Sequence, residues 1–120
     1  MSTRLHANPA SAREAREFVG QALREVRAGE QDDVVVLLAN ELVTNAILHA
    51  RGDIVLAVEL APDKVRIQVT DQSSQLPVQR GGVEEATSGR GLELVDALAT
   101  AWGVEPMSGD GKQVWCEVAS

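Results

Sequence analysis

The chain has 120 residues, with 11 Lys and Arg against 18 Asp and Glu, a net charge of −7, and 44% hydrophobic residues. This length and composition predict one globular domain over residues 1–120, with a single hydrophobic core. An acidic chain is repelled by phosphate backbones, so nucleic-acid binding as the main task is disfavoured. The arginines and lysines form no run, no apolar stretch approaches the ~20 residues that span a bilayer, and the first residues lack the apolar centre of a signal peptide. We therefore expect a cytoplasmic protein without a nucleic-acid or membrane partner.

Residues 2–7 are compatible with either a short strand or a frayed start, and the first helix is predicted to follow them. Asn8 can cap this helix with Pro9 in its first turn, whereas Ser11 with Glu14 forms a competing capping box. Apolar residues then recur at helical spacing until Gly29. They are Ala15, Phe18, Val19, Ala22, Leu23 and Val26.

A second helix is predicted from Asp32 or Asp33 to about His49. Its core-facing arc consists of Val35, Val36, Ala39, Leu42, Val43, Ala46 and Ile47. Glu41 and Asn45 are four residues apart, so they project from one side of the helix, about 40° apart on the wheel. A carboxylate beside an amide oxygen can orient a water and ligate a hard cation such as Mg²⁺. The other interpretation of the pair is an ordinary solvated face.

A strand hairpin is predicted next, from Ile54–Leu60 and Val65–Thr70 around a turn at residues 61–64. The alternation in its second strand indicates a sheet with one buried face. Asp71 follows that strand, where its carboxylate either reads an exocyclic amine or simply forms a turn. Regular patterning then stops, and a segment of this length, residues 72–90, is typical of a lid or binding loop.

Thr87–Leu92 reads Thr-Ser-Gly-Arg-Gly-Leu and stands directly before a third predicted helix. The apolar residues of that helix are Leu92, Leu94, Val95, Leu98 and Ala99. Two glycines let the backbone approach a ligand closely, and the N–H groups of a helix start attract anions. Arg90 adds a charged fork for phosphate. An ordinary loop-to-helix turn explains the same residues without a ligand.

Two short strands close the chain, around Trp102–Pro106 and Gln113–Val118, joined by a turn at residues 108–111. Both tryptophans are expected in the core. Cys116 is the only cysteine and is expected to be a small buried hydrophobe. The order of helices and strands predicts an α+β fold, a two-layer sandwich whose mostly antiparallel sheet is covered by helices.

Five segments together resemble a known family. They are PASAREAREFV (Pro9–Val19), NELVTNAILHA (Asn40–Ala50), VTDQSSQLP (Val69–Pro77), TSGRGLELV (Thr87–Val95) and GKQVW (Gly111–Trp115). In this order they resemble the small anti-sigma regulatory factors, which are serine-protein-kinase-like members of the GHKL (histidine kinase-like) ATPase superfamily. Gyrase and the sensor histidine kinases belong to the same superfamily. The resemblance covers nearly the whole chain and implies the Bergerat-type ATPase fold.

The resemblance also implies ATP and Mg²⁺ as cofactors and gives individual residues roles. Asn45 becomes the Mg²⁺ ligand, Glu41 the candidate general base, and Asp71 the partner of the adenine amino group. The cofactor-binding residues of the lid and helix start are Thr87, Ser88, Gly89, Arg90, Gly91 and Leu92. Gln113 stands where a threonine usually helps to hold adenine.

The net charge adds a requirement to this interpretation. An acidic domain that binds ATP must offset its own repulsion locally, so cations near the lid and the bound Mg²⁺ become important. Arg90 is the first such cation, followed by Arg80 and Lys112.

Members of this family hold a sigma factor inactive or phosphorylate a serine or threonine of a small antagonist protein, and some form homodimers. The resemblance therefore predicts a transcription regulator with Ser/Thr kinase chemistry and a sigma factor or an antagonist as its partner. Ser73 stands where the superfamily often has glycine, and Gln113 replaces a threonine. Both departures favour the alternative, a catalytically inactive nucleotide-binding or nucleotide-free protein-interaction module.

Overall fold

The computed structural model describes residues 1–6, 8–26, 32–49, 52–71, 92–107 and 111–119. The elements in chain order are β1 (Ser2–Leu5), α1 (Ala10–Val26), α2 (Asp32–His49), β2 (Ile54–Ala61), β3 (Lys64–Asp71), α3 (residues 92–98), β4 (Ala101–Pro106) and β5 (Lys112–Ala119). The strands form one sheet in the order β1-β2-β3-β5-β4, and every neighbouring pair is antiparallel. The predicted α+β fold is therefore confirmed, and the first residues form a strand. The predicted lid, residues 72–90, lies outside the described residues.

The start of α1 distinguishes between the two capping predictions. The Asn8 side-chain oxygen accepts a hydrogen bond from the Ala10 N–H at 2.9 Å, as expected of an N-cap. The Ser11 hydroxyl instead donates to the carbonyl oxygen of His6. Asn8 is therefore the cap, and Ser11 ties the helix back to the end of β1.

Helix α2 packs against α1 and against the central strands β3 and β5. Most of its predicted apolar arc is buried, and Leu38, which the arc left out, is buried completely. Val36 and Ile47 pack only partly against the core. On the outer side, the Arg16 guanidinium of α1 donates to the Asn40 amide oxygen at 2.7 Å and links the two helices.

The β2–β3 hairpin sets the register between these two strands. Ala61 pairs with Lys64 across a turn at Pro62 and Asp63, which matches the predicted turn at residues 61–64. Before β2 the chain passes through Gly52, whose φ of 97° lies in a region that L side chains rarely adopt. A glycine is therefore required where the chain enters the sheet.

The two faces of the sheet have different surroundings. The face toward the helices is buried and apolar, with Ile54, Leu56, Val58, Val65, Ile67, Val69, Val114, Cys116 and Val118. The other face carries Arg66, Gln68, Thr70, Gln113, Trp115 and Glu117, all half-buried. Among the described helices, none is long and apolar enough to cross a membrane.

The tryptophan prediction is wrong for Trp115. Its side chain lies half-buried on the open face of the sheet, with the Arg66 guanidinium 4.3 Å from the ring centroid. Trp102 does pack against the core, and its indole N–H donates to Asp96 of α3 at 2.9 Å. Cys116 is fully buried as predicted, and burial raises the pKa of its thiol from 9.0 to about 12, so it is no reactive nucleophile.

Candidate functional site

Four polar or charged residues are buried in the described part of the chain: Ser11, Asn45, Asp71 and Lys112. Burying such groups is costly unless they are hydrogen-bonded or used. Ser11 is explained by its bond at the start of α1, which leaves Asn45 on α2 and the Asp71–Lys112 pair on the buried face of the sheet as the candidate site.

Asp71 and Lys112 form a buried ion pair at one end of the sheet. They are directly opposite each other in the β3–β5 ladder, and each is 1% exposed. The Lys112 ammonium donates to both carboxylate oxygens of Asp71, at 3.1 Å and 3.0 Å. The predicted base-reading carboxylate is therefore present, buried and already bound by a cation of the chain.

The sequence indicates Lys112 only as a cation near the lid, and its contact with Asp71 is not among the predictions. A signal for it was available in the alternation of β5, where Lys112 shares its face with Val114, Cys116 and Val118. The same alternation in β3 puts Asp71 on the buried face. The period of two thus assigns both residues to the helix side of the sheet.

Gln113 lies on the opposite face. Its amide nitrogen is 3.0 Å from the Gln68 amide oxygen and 3.4 Å from the Thr70 hydroxyl oxygen. The structure does not bring Gln113 to Asp71; it brings the neighbouring Lys112 there. The contact between Gln113 and adenine stays a prediction.

Asn45 and Glu41 occupy successive turns of α2. Asn45 is 5% exposed, and its amide nitrogen is buried without a hydrogen-bond partner among the described residues. Leaving such a donor unsatisfied costs about 1–3 kcal/mol, so a buried orphan N–H group calls for an acceptor, such as an oxygen of a ligand. Glu41 is half-buried one turn earlier.

These two side chains suit a magnesium ion. The Asn45 amide oxygen and the Glu41 carboxylate are hard oxygen donors of the kind that Mg²⁺ prefers. In the described ranges, no three His, Cys, Asp or Glu side chains gather around one point. Mg²⁺ bound through one or two protein oxygens and substrate phosphates requires no such cluster.

The predicted phosphate-binding segment is only partly described. Thr87, Ser88, Gly89, Arg90 and Gly91 lie outside the described residues, as do Ser73 and Arg80. Leu92 begins the described part of α3 and is 5% exposed. The roles of this segment toward a cofactor stay predictions.

Comparison with known proteins identifies the family. Residues 5–117 match the histidine kinase-like ATPase domain. The chain belongs to this family. Over 56 residues the chain is also 46% identical to an uncharacterised protein of Streptomyces coelicolor, a match covering 45% of this chain and 52% of that relative. The chain thus spans about half the length of this relative.

As a histidine kinase-like ATPase domain, the chain has a fold consistent with the Bergerat type, and its family implies ATP binding. This gives the buried polar residues a common context. A nucleotide needs a group that reads its base and a group that holds the metal on its phosphates. Asp71 and Asn45 are chemically suited to these two tasks.

Proposed function

We propose that the chain is an ATP- and Mg²⁺-binding regulator resembling anti-sigma factors, which phosphorylates Ser or Thr of a small antagonist protein, sequesters a sigma factor, or does both. The observation that carries this proposal is the buried Asn45 amide, whose nitrogen has no hydrogen-bond partner within the described ranges, one turn from Glu41 in a domain whose family implies ATP binding. The buried Asp71 carboxylate at the end of β3 supports it.

Phosphoryl transfer depends mainly on positioning and on charge stabilisation. Mg²⁺ held by Asn45 would neutralise charge on the nucleotide phosphates. Glu41 would accept the hydroxyl proton of the partner's serine or threonine as general base. Asp71 would accept a hydrogen bond from the exocyclic amine of the base, and the segment with Arg90 would donate to the phosphates.

Calorimetry with Mg-ATP tests the binding step. We expect the wild type to bind and Asn45→Ala to bind at least about tenfold more weakly, a loss of roughly 1.4 kcal/mol, because the metal loses its protein ligand. Asn40→Ala is the matched control: it removes the same side chain from the same helix, at a position bonded to Arg16. It should bind like wild type, and absence of binding to the wild type refutes the proposal.

Labelled-phosphate transfer to a candidate antagonist protein tests the chemical step. Glu41→Ala should lower the transfer rate by about 100-fold or more, because a general base contributes at least this factor, while ATP binding is kept. Glu14→Ala, at an exposed position of α1, removes the same charge and should transfer normally. Transfer that persists undiminished in Glu41→Ala would rule out Glu41 as the base.

One observation favours the alternative function, an inactive nucleotide-binding or nucleotide-free interaction module. Lys112 already donates to both oxygens of Asp71, so a base amine has to share or displace an existing buried contact. A nucleotide-free module binds its protein partner equally well with and without Mg-ATP. It also keeps that binding in both Glu41→Ala and Asn45→Ala.

A further inference from the structure

Lys112 carries its charge inside the protein, where the fold alone does not require one. It is 1% exposed, and the other buried positions of β5 are Val114, Cys116 and Val118. Desolvating an ammonium and a carboxylate together often costs more than their attraction returns, and apolar residues of similar size are commonly as stable. The presence of Lys112 at this position is therefore better explained by its effect on the Asp71 carboxylate than by a contribution to stability.

The geometry of the pair restricts the Asp71 carboxylate. The terminal torsion of an aspartate is broad, so a lone carboxylate samples many orientations. The Lys112 ammonium donates to both oxygens, at 3.1 Å and 3.0 Å, and thereby holds the carboxylate group facing β5. An ionised carboxylate offers about four acceptor sites, so one ammonium does not exhaust it. A fixed carboxylate can recognise a donor that arrives from one direction.

We infer that Lys112 is a positioning residue for base recognition, holding the Asp71 carboxylate in the orientation that accepts a hydrogen bond from a 6-aminopurine. This inference rests on the proposed function, because it requires a nucleotide at Asp71. Lys112 also balances the Asp71 charge, so this carboxylate adds little to the repulsion between a chain of charge −7 and a triphosphate. By holding the carboxylate in this orientation, Lys112 sets the preference for ATP over the 6-oxopurine nucleotide ITP.

ATP and ITP isolate this effect because they share the triphosphate, the sugar and the metal. They differ at C6, where adenine carries an amine donor and hypoxanthine a carbonyl acceptor. A carboxylate held in place favours the donor and repels the acceptor. A site that loses a needed hydrogen-bond partner discriminates strongly, whereas a change in overall stability acts on both nucleotides alike.

The test is calorimetric titration of Mg-ATP and Mg-ITP into the wild type, Lys112→Met and Lys64→Met. We expect wild type to prefer ATP, and Lys112→Met to lower the ATP:ITP affinity ratio about tenfold, the effect of misplacing one charge-assisted hydrogen bond. Lys64→Met removes the same charge from the exposed start of β3 and should keep the ratio. It controls for the loss of one cation from an acidic protein.

Folding of each variant is checked by circular dichroism, because Lys112→Met leaves a buried carboxylate without its ammonium. If that variant does not fold, Lys112→Gln is used, whose amide donates to one oxygen at a time and should also lower the ratio. An unchanged ratio in the folded variant overturns the inference, as does a loss of ITP binding larger than that of ATP, which would mean that Lys112 contacts the base itself. A wild type that binds ATP and ITP equally also overturns it, whereas a wild type that binds neither contradicts the proposed function instead.

Discussion

Gly103 leaves room for the side chain of Trp115 on the neighbouring strand. A Cβ at this position of β4 would lie 3.0 Å from both the Cζ2 and Nε1 atoms of Trp115, which is tighter than nine in ten real Cβ contacts. The glycine therefore lets the indole ring lie closely against the backbone of β4, and a Cβ would require the ring to shift by a few tenths of an ångström. The Arg66 guanidinium, 4.3 Å from the ring centroid, adds a cation–π contact worth about 0.5–1 kcal/mol at an exposed site.

Two glycine substitutions should therefore have opposite effects. Gly103→Ala should lower the free energy of unfolding by about 1–3 kcal/mol, because the added methyl crowds the Trp115 ring and must push it a few tenths of an ångström from its packed position. Gly20→Ala should raise it by about 0.5–1 kcal/mol, because alanine is favoured inside a helix and the added Cβ meets only the flexible end of Arg24. Urea unfolding measures both, and Trp fluorescence reports the displaced ring. Equal changes in the two variants would contradict this explanation.

At the scale of elements, the sequence predicts helices and strands well where the apolar spacing is regular. The predicted second helix, residues 32 or 33 to about 49, is observed as Asp32–His49, and the hairpin is extended by one residue at three of its strand ends. This succeeds because the spacing of apolar residues is a local property that burial enforces. The prediction for Trp115 is wrong, although the alternation of β5 places this residue on the face opposite to that of Val114 and Cys116.

The site required information that local patterns do not contain. Glu41 and Asn45 could be placed on one side of a helix because four residues make about one turn. The partner of Asp71 could not be predicted in this way, because Lys112 is 41 residues further along the chain and contacts Asp71 only through the β3–β5 register. Register depends on the packing of the whole sheet. The family resemblance indicates Gln113 instead, which follows Lys112 in β5 and lies on the opposite face of the sheet.

At the scale of the whole molecule, two electrostatic effects oppose each other as the pH falls. The chain carries a charge of −7 at pH 7, so protonation toward its isoelectric point near 4.7 relieves general repulsion and favours the folded state. Specific ion pairs act in the other direction. Glu117 accepts hydrogen bonds from Arg66 at 3.0 Å and from Lys64 at 3.4 Å, which joins β5 to the first residues of β3 on the open face of the sheet.

The contribution of Glu117 should disappear in acid. The hydrogen bond from Arg66, helped by Lys64, lowers the pKa of Glu117 below its ordinary value of 4.5. A carboxylate whose folded pKa is lowered contributes stability that is complete above the unfolded pKa and is lost as the pH falls through the folded pKa. The difference in free energy of unfolding between wild type and Glu117→Gln should therefore be constant from pH 7 to about pH 5.5 and shrink below the ordinary value of 4.5.

The difference between the two proteins isolates this effect, because general repulsion changes almost equally in both. Glu105→Gln provides the matched control, since it removes the same charge from an exposed position on β4. The difference in free energy of unfolding between Glu105→Gln and wild type should vary much less with pH. Urea titrations at each pH supply the free energies, and a Glu117→Gln difference that stayed constant down to pH 3 would show that Arg66 and Lys64 do not stabilise the folded state through this carboxylate. The acid stability of the wild type would then follow from general repulsion alone.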